Sequence, residues 1–287
     1  MYKKRATFQR TIRRHQADQR PKRLKDSLVA EEPFTLVWQA ADGKSERLGS
    51  TMRTPGDDLS LAAGMLYAEG VIRCLQELKT LSFCAGGGVN ELNRLKAELR
   101  LSGSTIENRL AHRPSASLPQ SACGMCGLDD LNSPDTLLKW ALARYSGQPE
   151  LPSPTLLAQA LDLLELSCPL FERTGASHAC IVVGPQGQLL AAGEDVGRHN
   201  ACDKAIGNLL LDQKDGTEPF SLPEGTGLLF SSRLSFELSS KAVVSGASWM
   251  ASVGAPTHLA VELAQRCGIP LYGFLSQGRY NQYTVIE

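Results

Sequence analysis

The sequence predicts an α/β protein: a layered α/β/α C-terminal domain preceded by a small β-rich α+β domain. Two observations carry this. Over residues 151–287, short apolar runs such as 179–183 and 227–231 alternate with stretches of helical periodicity, the pattern of a sheet covered by helices. Before residue 112, period-two alternation dominates. It is clearest at 94–101, where Leu95, Ala97, Leu99 and Leu101 share one face and Arg94, Lys96, Glu98 and Arg100 the other. Pro114, Pro119 and several serines crowd the stretch between, which sets expected bounds at 1–28 (basic tail), 29–112 (α+β), 113–150 (loop and linker) and 151–287 (α/β).

The chain begins with a charge imbalance. Residues 1–25 hold ten Lys/Arg against one acid, Asp18, a charge of +9. The remainder holds twenty Lys/Arg against twenty-nine Asp/Glu, or −9, so the whole is neutral. Such a segment reads as a solvated, disordered tail. A sharper reading makes it an arm that reaches a phosphate-rich ligand or an acidic partner. Zero net charge offers no general field for nucleic acid or membrane. No apolar run approaches the ~18 residues of a membrane span, and no apolar core follows the basic start as in a secretory signal. Eight cysteines in such a chain point to a reducing, cytoplasmic setting.

Next come a strand at 31–38, an Asp42-Gly43 turn and a second strand near 48–52. A helix follows, expected to be capped by Asp57, to carry Leu59, Ala62, Ala63 and Leu66, and to end at Gly70. Residues 78–84 and 94–101 suit strands, giving this half one helix. Ser153-Pro154 opens a helix with cap and first-turn proline in place, bearing Leu157, Ala160, Leu161 and Leu164. Strands at 179–183 and 188–192 flank a Pro-Gln-Gly turn. Then alternate a helix (200–211), a strand (227–231), a helix capped by Ser235 (236–245), a strand (250–253), a helix (256–267) and strands at 270–274 and 280–285.

Chemistry concentrates in five places. Cys123-Gly-Met-Cys126-Gly places two thiols on one tight, glycine-flanked turn, where a thiolate can attack another sulfur and its neighbour can resolve the product. Alone this motif fits a redox pair, half a zinc site or a sulfur carrier. A zinc site needs four ligands, and no second Cys-x-x-Cys exists, nor the His-x-Glu with Pro-Cys-x-x-Cys of zinc deaminases, so no metal is expected. Residues 193–204, Gly-Glu-Asp-Val-Gly-Arg-His-Asn-Ala-Cys-Asp-Lys, run from a strand end into a helix. Arg198, His199 and Lys204 there are candidates to hold an anion. Arg233 in Ser-Ser-Arg-Leu-Ser, Thr257 in Ala-Pro-Thr-His and Arg279 in the 273–281 stretch mark three more strand-end junctions. Together these suggest a large polyanionic ligand in the crevice beyond the strand ends. Neither a Walker A motif nor a Gly-x-Gly-x-x-Gly is present.

Thr54-Pro-x-Asp57, Cys123-Gly-x-Cys-Gly127, Glu194-Asp-Val-Gly-Arg-His-Asn-Ala-x-Asp-Lys204, Ser232-Arg-x-Ser-x-Glu237, Ala255-Pro-Thr257 and Gly273-Phe…Asn281-x-Tyr283 occur in one order. In that order they resemble the formate dehydrogenase accessory sulfurtransferase family (FdhD/NarQ), from about residue 31 to the C-terminus. Ala176, Ser232 and Ser276 depart from the family pattern. The resemblance implies a cytidine-deaminase-like fold without zinc chemistry. It also implies transfer of sulfur from a cysteine desulfurase to a molybdenum bis(guanine dinucleotide) cofactor, bound as substrate and destined for formate dehydrogenase. On that resemblance Cys123 carries the persulfide, Cys126 assists, and Phe274, Leu275, Ser276, Gln277, Gly278 and Arg279 belong to the cofactor-binding stretch. Large ligands and partners also suggest a homodimer. Two rival readings remain: a module that only binds and protects the cofactor, and a thiol–disulfide oxidoreductase.

Overall fold

The computed structural model describes residues 5–17, 19–84, 93–111, 138–139, 142–143, 145, 147–213 and 216–284. The basic start is not the structureless tail its composition predicts. Strands β1 (Thr7–Arg14) and β2 (Lys22–Val29) pair antiparallel in unbroken register from Thr7↔Val29 to Arg14↔Lys22. Charge hid the pattern: on one face Phe8 opposes Leu28 and Ile12 opposes Leu24, but charged positions such as Arg10/Asp26 and Arg14/Lys22 lie between and beyond them.

Strands β3 (Glu32–Gln39), β4 (Ser45–Arg53), β5 (Leu78–Phe83) and β6 (Arg94–Leu99) form a second sheet in the order β4-β3-β6-β5. The alternation in β6 does what period two requires: Leu95, Ala97 and Leu99 are buried beside Phe34, Leu36 and Trp38 of β3, while Arg94 is exposed. Helix α1 (Asp58–Ala68) follows β4. Asp57 precedes it in a left-handed conformation (φ 52°) and makes no side-chain cap bond, so the expected Asx cap is replaced by a bent entry. This half also has a second helix, α2 (Gly103–Ala111), where one was expected. Its only buried apolar side chain is Ile106, too sparse a stripe for periodicity to reveal.

Helix α3 (Pro154–Leu166) starts as its sequence dictates, with Ser153 accepting from the Leu156 N–H at 3.1 Å. A short helix, α4 (Pro169–Thr174), leads into the main sheet. That sheet is built from β7 (His178–Val183), β8 (Leu189–Asp195), β9 (Gly227–Phe230), β10 (Trp249–Ser252), β11 (Leu271–Ser276) and β12 (Arg279–Gln282), in the order β12-β11-β10-β9-β7-β8. β9, β10 and β11 run parallel. β7 is antiparallel to both β8 and β9, and β12 is antiparallel to β11.

Strand side chains divide the core in two. Cys180, Val182, Leu228, Phe230 and Met250 point toward α5 (Arg198–Leu211), α6 (Phe236–Val244) and α7 (His258–Cys267). Ala179, Ile181, Leu229, Trp249 and Ala251 point the other way, against Leu157, Ala160, Leu161 and Leu164 of α3. This is the α/β/α layering the sequence predicts. The first of these clusters continues without interruption into the β3–β6 sheet through α1, which lies directly on α5.

Candidate functional site

Strand direction decides which loops meet. β8, β9, β10 and β11 all end at one edge of the main sheet, and β7 and β12 begin there. The loops are tied by bonds that prolong the sheet: Gly254 N–H donates to Ser232 O (3.2 Å), Phe274 N–H to Gly254 O (3.1 Å), and Thr257 N–H to Leu234 O (2.9 Å). This edge therefore collects Arg198 and His199 after β8, Arg233 after β9, Thr257 after β10, and Phe274, Ser276, Gln277, Gly278 and Arg279 at the β11–β12 turn. Arg233, Thr257, Phe274, Gln277, Gly278 and Arg279 are exposed. The N-termini of α5, α6 and α7 open onto the same edge. Gly197 and Ser235 give α5 and α6 no side-chain cap, whereas Thr257 caps α7 by accepting from Ala260 N–H (3.4 Å). Uncapped N–H groups and aligned helix dipoles favour negative charge there, and the arginines add formal positive charge.

Two residues carry backbone or burial costs at this edge. Phe274 holds φ 53° and is 46% exposed. A non-glycine residue in that region costs about 1–3 kcal/mol and persists only where its surroundings enforce it. Here the Gly254 carbonyl accepts its N–H. His199 lies in the first turn of α5. Its Nε2 is buried without a hydrogen-bond partner among the described residues, 4.0 Å from a Glu237 carboxylate oxygen. Burial, then the charges of Lys241 and Arg198, push its pKa down to about 3, so the imidazole is neutral at physiological pH. Because the folded value lies below the unfolded one, the unfolded chain takes up a proton first as pH falls. This residue therefore withdraws stability progressively from about pH 6.5 down to about 3 and contributes none above that window. In an NMR titration the His199 ring is expected to remain neutral at pH 5. A protonated ring at that pH contradicts the buried geometry.

Two candidates from the sequence do not serve the edge as expected. Lys204 is 1% exposed, and its ammonium makes three contacts: Asp195 Oδ2 (2.7 Å), Thr54 O (2.9 Å) and Glu194 O (3.1 Å). No N–H remains for a phosphate. Leu275 is also buried, packed in the α3-side cluster rather than facing a ligand. Its neighbours Phe274 and Gln277 present their side chains outward instead.

The residues around Lys204 form a strut that sequence reasoning missed. Asp195 accepts from Thr54 N–H (3.0 Å), Gly197 N–H (2.9 Å) and Asn200 Nδ2 (3.0 Å), and Asn200 also donates to Met52 O (2.7 Å). Thr54 Oγ1 accepts from Val196 N–H (3.1 Å). The string 194–204 thus fixes the β4–α1 junction against the start of α5. Glu194 does similar work on the other side, accepting from the N–H groups of Leu170 and Phe171 and from Ser177 Oγ. The motif's density of polar residues was the available signal. Nothing local distinguishes a lysine that will be buried by residues 150 positions away.

Cys123 and Cys126 lie outside the described residues. Three of the described cysteines have thiols with raised pKa values. Burial pushes the thiol of Cys267 up to about 12, burial and then Glu194 push Cys168 up to about 11, and Cys180 is raised by burial and by Cys202. Such thiols stay protonated and are poor nucleophiles. No group of three or more His, Cys, Asp or Glu suited to a metal occurs among the described residues. No helix among them is long and apolar enough to cross a membrane.

An α/β sheet with a cationic, helix-fronted edge places the chain among α/β proteins whose strand ends offer a crevice suited to an anion. Comparison narrows the class. The model of the FdhD/NarQ family matches residues 29–287, and this chain belongs to that family. It is 39% identical over 269 residues to the sulfur carrier protein FdhD of Streptomyces avermitilis, covering 90% of this chain and 87% of the relative. It is 36% identical to the sulfur carrier protein FdhD of Anaeromyxobacter dehalogenans, covering 91% and 88%. The crystal structure of a candidate formate dehydrogenase accessory protein from Desulfotalea psychrophila shares the fold, with a TM-score of 0.69 at 20% identity over 99% of both chains.

Proposed function

We propose that this protein is a sulfur carrier: Cys123 accepts sulfur as a persulfide and passes it to an anionic cofactor held at the sheet edge. The observation that carries this reading is the convergence of three helix N-termini with Arg198, Arg233 and Arg279 at one edge. Relatives named sulfur carriers support the sulfur half of it. The donor is a cysteine desulfurase. The acceptor is a molybdenum cofactor with two guanine dinucleotides, delivered afterwards to formate dehydrogenase. Two diphosphates match an edge rich in N–H donors and guanidinium forks. The exposed ring of Phe274 offers a flat apolar face for a base. The mixed sheet with helices on both faces supports assignment to the cytidine-deaminase-like class.

The sulfur step balances without a metal in the protein. The Cys123 thiolate attacks the terminal sulfur of the donor's persulfide, a new S–S bond forms, and the donor leaves as thiolate. Release as sulfide needs two electrons. Attack by the Cys126 thiolate on the Cys123 sulfur supplies them and leaves a 123–126 disulfide for a cellular dithiol to reduce.

The test is intact mass after incubation with a desulfurase and cysteine, paired with formate dehydrogenase activity in a strain carrying each variant. Wild type is expected to gain the mass of one sulfur, and Cys123→Ala to gain none and to support no active enzyme. An alanine variant that loads sulfur and matures the enzyme normally would refute the reading. Should Cys123→Ser preserve maturation while Arg198→Ala or Arg279→Ala destroys it, the protein only binds and protects the cofactor.

A further inference from the structure

The sheet edge that gathers cations also holds a carboxylate that nothing offsets. Three acids lie where β8 and β9 run into the helices that follow them. Glu194 accepts from the N–H groups of Leu170 and Phe171 and from Ser177 Oγ. Asp195 accepts from Thr54, Gly197 and Asn200 and pairs with Lys204. Glu237, in the first turn of α6, accepts no hydrogen bond among the described residues. Lys241, one turn further along α6, is taken by Asp203. The remaining neighbour is His199 Nε2 at 4.0 Å, which is too long for a hydrogen bond, and that imidazole is neutral. The Glu237 side chain is 33% exposed, so a ligand at the edge can reach it.

A carboxylate in that place works against any ligand that is only an anion. The dipole of α6 favours a negative charge at its start, but it would favour a phosphate there equally, and the two repel. A second observation meets the first. His199 Nε2 is buried and unpartnered among the described residues, and it faces the same carboxylate. The two groups stand opposite one another and neither satisfies the other. A ligand that brings N–H donors to Glu237 resolves both. It fills the carboxylate's acceptors from outside, and the neutral ring, with its proton on Nε2, can close on the carboxylate from inside.

We propose that Glu237 is a specificity residue that reads a 2-amino-4-oxo-pyrimidine ring in the bound ligand, with His199 as its positioning residue. One carboxylate oxygen accepts from the ring N–H and the other from the adjacent amine. This rests on the reading that the edge holds an anionic nucleotide cofactor. A carboxylate offers two coplanar acceptors and no donor, and that ring edge offers two adjacent donors. Hypoxanthine lacks the amine. Adenine and cytosine put a ring acceptor where the N–H should be, which a carboxylate repels. Guanine and pterins share the required ring, so the base end or the pterin end of a cofactor can present it.

The test is calorimetric titration of the full-length protein with GDP, IDP, XDP and neopterin. Wild type is expected to bind GDP about tenfold or more tightly than IDP, which lacks only the 2-amine. Glu237→Gln should lose that preference and gain XDP, because a carboxamide accepts from the ring N–H while donating to the 2-oxo group. An unfolded variant cannot give that gain. His199→Phe should lower the GDP-to-IDP ratio, whereas Arg198→Ala should weaken all the diphosphates alike. If the pterin end is the source, GDP and IDP bind equally, neopterin binds, and Glu237→Gln exchanges neopterin for lumazine, its 2-oxo counterpart. A preference for GDP that survives Glu237→Gln overturns the proposal. So does equal binding of GDP and IDP without binding of neopterin. If Arg198→Ala still weakens the diphosphates in that case, the anion-holding edge stands and only the role of Glu237 falls. Failure of all four ligands to bind removes both.

Discussion

Replacing Lys204 by methionine should destabilise the ligand-free protein by about 3–5 kcal/mol, the range for breaking a buried ion pair from one side. Methionine fills nearly the same volume, so packing is not what is lost. The loss is electrostatic. Asp195 would keep a buried carboxylate with three neutral donors and no cation, and the carbonyls of Thr54 and Glu194 would each lose their donor. An unpaired buried acceptor costs about 1–3 kcal/mol on its own. Because those carbonyls belong to the β4–α1 junction and to β8, the effect should spread into α1 and lower the stability of the whole shared core. Urea unfolding without any nucleotide or cofactor measures it. A change under about 1 kcal/mol, with cofactor binding weakened instead, would return Lys204 to the phosphate-holding role that its sequence context suggests. Arg233→Ala provides the converse control, since its exposed guanidinium should leave unfolding unchanged.

Lys204 also shows where reading the sequence stops. Layering was legible because it depends on local period. Residues 94–101 alternate, residues 154–166 repeat at helical spacing behind a Ser-Pro start, and the structure folds them accordingly. The junctions were legible as places, since Gly, Arg, Ser and Thr gather where strands end. What a polar side chain does there was not legible. Lys204 and Arg233 look alike in sequence, yet one is spent on Asp195 and Thr54 while the other faces solvent. The difference is made by a loop 150 residues upstream. Phe274 and Leu275 are likewise adjacent and opposite in fate, and only the positive φ of Phe274 turns its ring out of the strand's alternation. The hairpin was missed for another reason: its net charge outweighed a stripe of four apolar residues that only cross-strand pairing assembles.

The second large effect is expected at the crossing of α1 and α5, where the two halves of the core meet. Gly64 and Gly207 face the opposing helix with no side chain between the backbones. A β-carbon on Gly207 would sit on the carbonyl of Ser60, 2.7 Å from its carbon and 2.8 Å from the Gly64 nitrogen. One on Gly64 would sit on the carbonyl of Asp203, 2.6 Å from its carbon. The neighbours are backbone atoms within helices, so no rotamer change can make room. Helix propensity alone favours alanine over glycine by about 1 kcal/mol. Steric cost should outweigh it, because overpacking typically costs about 1–3 kcal/mol and here the whole crossing must widen. Widening also strains the Ser60–Asn208 bond and the Lys241–Asp203 pair beside it. Gly207→Ala is therefore expected to lower stability by about 2 kcal/mol or more, and Gly64→Ala by a similar amount. The double variant supplies the decisive comparison. If both substitutions act by pushing the same two helices apart, the second finds the gap already opened, and the pair costs clearly less than the sum of the singles. Full additivity, or stabilisation by either alanine alone, would mean that α1 and α5 do not touch backbone to backbone. The continuity between the β3–β6 sheet and the C-terminal α/β layers would then have to rest on contacts other than this crossing.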